Sequence, residues 1–209
     1  MLKNFVSKNF KSYEDFVKNF KINIPERFNF AYDVVDKLAG LDPERRALVW
    51  CDDKGNQAVF TFAQLKYYGD KTANFFKSIG IKKGHRVMLI LKRRYEFWFC
   101  LLALHKLGAI GIPATHLLTA RDIIYRKGAA DINMIVAIGE DEVLDHIEEA
   151  ERKTSPFSCK VVVEGSRKGW LDFTEGISQA DSKFERPTGS QATTNKDISL
   201  LYFTSGTTG

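Results

Sequence analysis

The last stretch of the chain, Thr204-Ser205-Gly206-Thr207-Thr208-Gly209, holds only Gly, Ser and Thr. Such a loop folds back tightly because Gly tolerates φ > 0, and it presents backbone N–H and hydroxyl donors with no bulky side chain between them. Close backbone approach and many donors are what a polyphosphate requires. The other reading of a Ser/Thr/Gly run is a flexible linker. Here the run directly follows residues 197–203 (Asp-Ile-Ser-Leu-Leu-Tyr-Phe), a short apolar and aromatic run that reads as a buried strand.

A second candidate is Lys92-Arg93-Arg94, between an apolar strand at 86–91 and a helix at 95–107. Ligands of open α/β sheets bind near strand carboxyl ends. Cations beside a helix N-terminus cost about 0.3–1 kcal/mol each unless an anion sits there. Arg93 and Arg94 are therefore candidate secondary phosphate contacts, set against a solvated basic turn. His85, His105, His116 and His146 have no partners at metal-ligand spacing, and His116 alone lies near a strand end. Cys51, Cys100 and Cys159 are odd in number and far apart, which fits neither a metal site nor a disulfide framework and points to a reducing compartment.

The elements that must position these residues follow from the patterning. Two β-rich runs around Asp52-Asp53-Lys54-Gly55-Asn56 make a hairpin over 47–62. Thr61 with Gln64 is a capping box opening a helix whose inner face carries Leu65, Tyr68, Thr72, Phe75, Phe76 and Ile79, closed by Gly80. Strand 86–91, helix 95–107 and strand 109–113 form a βαβ crossover, so the two strands are parallel and the sheet is covered on both faces. Thr119 and Asp122 cap another helix ending near Gly128; strand 134–138, helix 142–152 and strand 159–163 extend the sheet. Trp170 to Phe173 reads as packing under a loop, and 181–196 as a surface connection.

Residues 1–30 carry Phe5, Phe10, Tyr13, Phe16, Val17 and Phe20 at spacings of mostly three to five, an amphipathic helical leader with Ser12 as an N-cap. It reads as packing on its own domain, with a membrane surface as the alternative. The whole chain, 209 residues with 44% hydrophobic and 27% charged content, is of globular composition, and its net charge of +5 favours anionic ligands. No basic run interleaves with stacking aromatics, so nucleic acid is not expected. No run approaches the ~18 apolar residues of a membrane span, and no secretory or mitochondrial leader pattern is seen, so the expected location is cytoplasmic.

The order Tyr202-Phe-Thr-Ser-Gly-Thr-Thr-Gly209 resembles the phosphate loop of the adenylate-forming enzymes, which include acyl-CoA synthetases, luciferases and peptide-synthetase adenylation domains. The sequences at 26–31, at 60–65 (Phe-Thr-Phe and Leu65), at 84–87, at Glu96-Phe-Trp and at Leu107-Gly-Ala with Pro113 are similar to the acetyl and medium-chain acyl-CoA synthetases. The resemblance implies that 31–209 is the N-terminal α/β subdomain of an AMP-binding domain, after a 1–30 leader. It further implies that the parent uses ATP, CoA and Mg²⁺ to activate a small carboxylic acid as its adenylate and pass the acyl group to CoA. Thr204, Ser205, Gly206, Thr207, Thr208 and Gly209 would then hold the β- and γ-phosphates. The family's loop continues to Pro-Lys and its acid-recognising residues lie beyond Gly209, so catalytic residues are expected downstream and the 209 residues alone are expected to be inactive. A non-catalytic nucleotide-binding or interaction domain is the alternative. A Walker-type loop is disfavoured, since only two residues separate Gly206 from Gly209 and no GK[ST] closes the run.

Overall fold

The computed structural model of the chain describes residues 5–6 and 9–204. The elements are α1 (Tyr13–Asn19), a π-helical turn (Ala31–Asp36) continuing into α2 (Lys37–Leu41), and the strands β1 (Arg46–Cys51) and β2 (Gln57–Thr61). Next come α3 (Phe62–Ser78), β3 (Arg86–Ile90), α4 (Glu96–Leu107), β4 (Ile110–Pro113), α5 (Ala120–Ala130) and β5 (Met134–Ile138). The last are α6 (Asp141–Lys153), β6 (Cys159–Val163), β7 (Leu171–Asp172) and α7 (Phe173–Gln179).

β1 and β2 pair antiparallel as the expected hairpin. The other five strands form one all-parallel sheet in the order β4-β3-β5-β6-β7. The strand residues alternate between two cores, as a period of two requires. Val87, Leu89, Val136 and Val161 join the core under α3, α4 and α7, while Met88, Ile90, Ile135, Ala137 and Val162 join the core under α5 and α6. Continuous apolar strands are thus consumed on both faces, which is why they alternate with helices.

The helix signals act as read. Thr61 and Gln64 make a reciprocal capping box, and so do Thr119 and Asp122. Beyond α3, the Gly80 N–H bonds Lys77 O at 3.1 Å and the Ile81 N–H bonds Phe76 O at 2.9 Å, a Schellman ending with Gly80 at φ +93°. Four differences have local reasons. α5 runs past Gly128 to Ala130, because Asp131 rather than Gly128 takes the left-handed capping position at φ +47°. β7 is two residues long, too short to show a period, and Asp172 at its end caps α7 by accepting the Glu175 N–H at 2.7 Å. α1 buries none of its residues; Phe10, Phe16 and Phe20 cover one another instead. The run 197–203 is not a buried strand. Its one bridge to the sheet among the described residues is the parallel pair of Gly111 and Leu200; Ile198 and Tyr202 are 62% and 63% exposed, and Leu201 and Phe203 are only partly buried against the core under α5 and α6.

Trp170 is buried, as a packing residue, and its Nε1 donates to Glu148 at 3.1 Å. Two buried features were outside the sequence reading. Lys106 is fully buried, 2.5 Å from Asp36 and 2.8 Å from Asp70, with its ammonium 4.6 Å from the Tyr32 ring centre. Burial pushes the Asp36 carboxyl up and Lys106 pulls it back. The ring nitrogens of His105 are buried with no hydrogen-bond partner, and burial lowers its pKa.

Two outcomes follow from this packing. A Cβ on Gly139 would lie 1.6 Å from the Glu164 carbonyl oxygen, whereas one on Gly128 meets nothing within 4 Å. In urea melts Gly139→Ala should lose about 3 kcal/mol or more, and Gly128→Ala should gain up to about 1 kcal/mol. His105, its folded pKa depressed, binds its proton more readily in the unfolded chain. Its contribution is therefore intact above an unfolded pKa of about 6.5 and is lost as pH falls below it. His85 is shifted the same way, by burial and then by Arg86 and Lys82. Melts of the wild type between about pH 5 and 7 should show an acid slope that His105→Leu reduces.

Candidate functional site

In an all-parallel sheet every strand carboxyl end lies on one edge, and that edge collects the charged corners of this chain. After β3 comes the Lys92–Arg94 turn, with Lys92 in the left-handed region at φ +49°. After β5 come Gly139 and Glu140, and after β6 comes Glu164 at φ +56°. Lys92 Nζ lies 2.5 Å from Glu140, linking the first corner to the second. Arg94 reaches Glu96 at 3.2 Å and Glu164 at 2.5 Å, linking the first corner to the third. Burial alone would lower the Arg94 pKa, but hydrogen bonding and charge from Glu96, with Glu164 behind, hold it above its ordinary value.

The hairpin fixes the same turn from outside. Trp50 Nε1 donates to the Arg93 carbonyl at 2.6 Å, and the Arg94 guanidinium sits 5.0 Å from the ring centres of both Trp50 and Tyr95. Beneath it, Phe60, Tyr68, Tyr95 and Phe99 pack ring on ring, Tyr68 and Phe99 stacked at 4.7 Å. Arg94 is therefore held by two carboxylates and two rings. Arg93 offers only its carbonyl to this frame; its side chain is exposed and makes no ion pair among the described residues.

The terminal segment arrives at the same edge. The Gly111 N–H donates to Ser199 O and the Leu201 N–H to Gly111 O, each at 3.0 Å, so the segment runs parallel to β4. Phe203 then packs on α5, 6.1 Å from the Tyr125 ring and 5.3 Å from the Arg126 guanidinium. Thr204, exposed, follows at the carboxyl edge. Ser205, Gly206, Thr207, Thr208 and Gly209 lie outside the described residues.

His116 lies on the loop after β4, partly exposed, and no group of three metal-ligating side chains gathers among the described residues. A cavity of about 260 Å³ opens at the opposite end of the sheet, between Phe28, Phe30, His105 and Ile198, away from this edge. The carboxylates that neutralise the basic turn were not identified from sequence. Glu140 and Glu164 could have been: each closely follows a strand of a parallel sheet, so each must reach the edge where Lys92–Arg94 lies.

The model of the AMP-binding enzyme family matches residues 35–209. The chain belongs to that family. Among its curated relatives, the human acyl-coenzyme A synthetase ACSM3, mitochondrial, is 33% identical over 208 residues, covering 96% of this chain and 34% of that protein. The human acyl-coenzyme A synthetase ACSM4, mitochondrial, is 36% identical over 194 residues, covering 89% and 32%. The anthranilate CoA ligase AuaEII, solved in complex with anthranoyl-AMP, superposes with a TM-score of 0.77 at 25% identity, over 89% of this chain and 34% of that one. The chain spans about a third of the length of the curated relatives it matches. No helix among the described residues is long and apolar enough to cross a membrane.

The two arginines of the basic turn separate experimentally. Arg94→Gln should lose about 1–3 kcal/mol of stability, since it strips two carboxylates of their partner. Arg93→Gln should stay within about 0.5 kcal/mol of wild type. Equal losses in chemical denaturation would mean that the side chain of Arg93 is also part of the frame.

Proposed function

We propose that this chain is the N-terminal part of an AMP-forming acyl-CoA synthetase, with 31–209 as the first α/β subdomain of the AMP-binding domain and 1–30 as a leader. The observation that carries this reading is the Gly111–Leu200 bridge, which directs residues 201–204 toward the carboxyl edge of a parallel sheet. In this reading Thr204, Ser205, Gly206, Thr207, Thr208 and Gly209 donate hydrogen bonds to the β- and γ-phosphates of ATP. A substrate carboxylate oxygen attacks the α-phosphorus, the bond to the bridging oxygen breaks, and pyrophosphate leaves with the electron pair. The CoA thiol, losing its proton, then attacks the acyl carbon and displaces AMP.

The loop's part is to orient the leaving pyrophosphate and stabilise the charge that develops on it. Arg93, exposed on the turn two strands away, supplies a further cation to a phosphate. Arg94, committed to Glu96 and Glu164, acts by shaping that turn. Mg²⁺ would accompany the nucleotide and offset phosphate charge; no group of three metal-ligating side chains gathers among the described residues. The three free, scattered cysteines support a cytoplasmic location. Subcellular fractionation decides this against the compartment in the relatives' names.

Pyrophosphate exchange by the full-length protein, with a panel of short, medium-chain and aromatic acids, tests the assignment. Gly206→Val should abolish exchange by blocking close approach of the phosphates. Thr204→Ala should cost at most about 2.7–4 kcal/mol, a hundred- to thousandfold in rate. Arg93→Gln should raise the KM for ATP several-fold with kcat retained. Unchanged exchange in the valine variant refutes the loop assignment, and exchange with none of the acids favours a non-catalytic nucleotide-binding domain.

A further inference from the structure

Independently of the ligase reading, we infer that residues 10–24 form a docking face for the surface of an anionic lipid bilayer. The segment is a closed excursion. Val6 bridges Ile22 antiparallel, the Asn23 N–H donates to Phe5 O at 2.7 Å, and the Phe5 ring packs 5.4 Å from Phe28. At its tip, α1 is fixed by Ser12, whose hydroxyl accepts the Asp15 N–H at 3.2 Å. No residue of α1 is buried.

The spacing of Tyr13, Phe16, Val17 and Phe20 puts all four on one helix face. Phe10 joins them, 5.2 Å from Phe16, and Phe16 lies 5.0 Å from Phe20. The face is open: Tyr13 is 75% exposed, Val17 62%, Ile22 61% and Ile24 53%, with Phe16 and Phe20 at 40% each. Aromatic rings with a polar rim suit the boundary between headgroups and acyl chains.

The charge around the rings selects the occupant. Lys11, Lys18 and Lys21 are exposed and make no ion pair among the described residues. Asp15 is engaged locally, accepting the Lys11 N–H at 2.8 Å and the Asn19 side-chain amide at 2.6 Å. Across residues 1–24 the sequence has five lysines against Glu14 and Asp15. The exposed Lys11, Lys18 and Lys21 around an apolar tip match a negatively charged lipid surface. The i, i+3, i+4, i+7 spacing of Tyr13, Phe16, Val17 and Phe20 also suits a protein groove that receives a helix; the ring of exposed lysines without ion pairs among the described residues favours the lipid surface over it. The contact proposed is one with the bilayer surface; no helix among the described residues is long and apolar enough to cross it.

Sedimentation of the full-length protein with vesicles tests this. Phosphatidylcholine vesicles containing about a quarter phosphatidylserine should carry the protein down, and pure phosphatidylcholine should bind at least about tenfold more weakly. Replacing Lys11, Lys18 and Lys21 together by Gln should weaken binding about a hundredfold, at about fivefold each. Phe16→Ser with Phe20→Ser should weaken it by about tenfold or more, with the melting temperature unchanged. No sedimentation, or equal binding to both vesicles, overturns the inference. So does a fall of several degrees in the melting temperature of the serine variant, which would mean that the rest of the protein covers these rings. A dimer that the serine variant dissociates would overturn it in favour of a second copy of the chain.

Discussion

Parallel pairing is the constraint on which this structure rests. Parallel strands cannot be joined by a short turn, so each connection crosses a face of the sheet and covers it. That requirement explains the two cores, one under α3, α4 and α7 and the other under α5 and α6, and the strands that are apolar on both sides. It also decides the chemistry. Because all five strands point the same way, the corners after β3, β5 and β6 converge, and the ion pairs of Lys92 with Glu140 and of Arg94 with Glu164 can form between segments far apart in sequence. The close approach of Gly139 to Glu164 comes from the same convergence.

Buried charge ties the helical layer together where hydrophobic contact would leave its register loose. Lys106 comes from α4, Asp70 from α3 and Asp36 from the π-helical turn, and the ammonium has no exposed surface. An ammonium in that position is tolerable only with its carboxylates present, and removal of one partner from such a cluster costs about 3–5 kcal/mol. Apolar neighbours would accept several sliding arrangements of three helices; a shared cation accepts few. Lys66, which also pairs with Asp70, extends the cluster toward solvent.

Much of this was legible in the sequence because the signals were local. The capping boxes at Thr61 and Thr119, the Gly80 ending and the βαβ spacing each act within a few residues of themselves. What could not be read depends on distant partners. Lys106 at the end of an apolar helix looks like an ordinary charge complementing the helix dipole, and only the fold brings Asp36 and Asp70 to it. The same holds for Arg94, which as a residue type in a basic turn looked as available for phosphate as Arg93. The run 197–203 was misread for a different reason. Apolar composition signals a strand, but whether that strand is buried depends on what lies over the sheet edge, and nothing within the run encodes that.

The balance of charge at the carboxyl edge bears on how a nucleotide would be recognised there. Lys92, Arg93 and Arg94 face Glu96, Glu140 and Glu164, three cations to three carboxylates, and two of the cations are already paired. A polyphosphate approaching this edge therefore finds little net positive charge. In the ligase reading its binding rests on directed donors, the N–H and hydroxyl groups of 204–209, with Arg93 as the one cation of the basic turn that makes no ion pair among the described residues. Directed donors discriminate geometry where point charges discriminate only sign. A site that must hold one phosphate chain in one orientation, and release it as pyrophosphate, gains from that arrangement. Paired carboxylates beside it oppose anions that the donors cannot engage, and the same pairs keep the turn rigid enough for the remaining arginine to be placed.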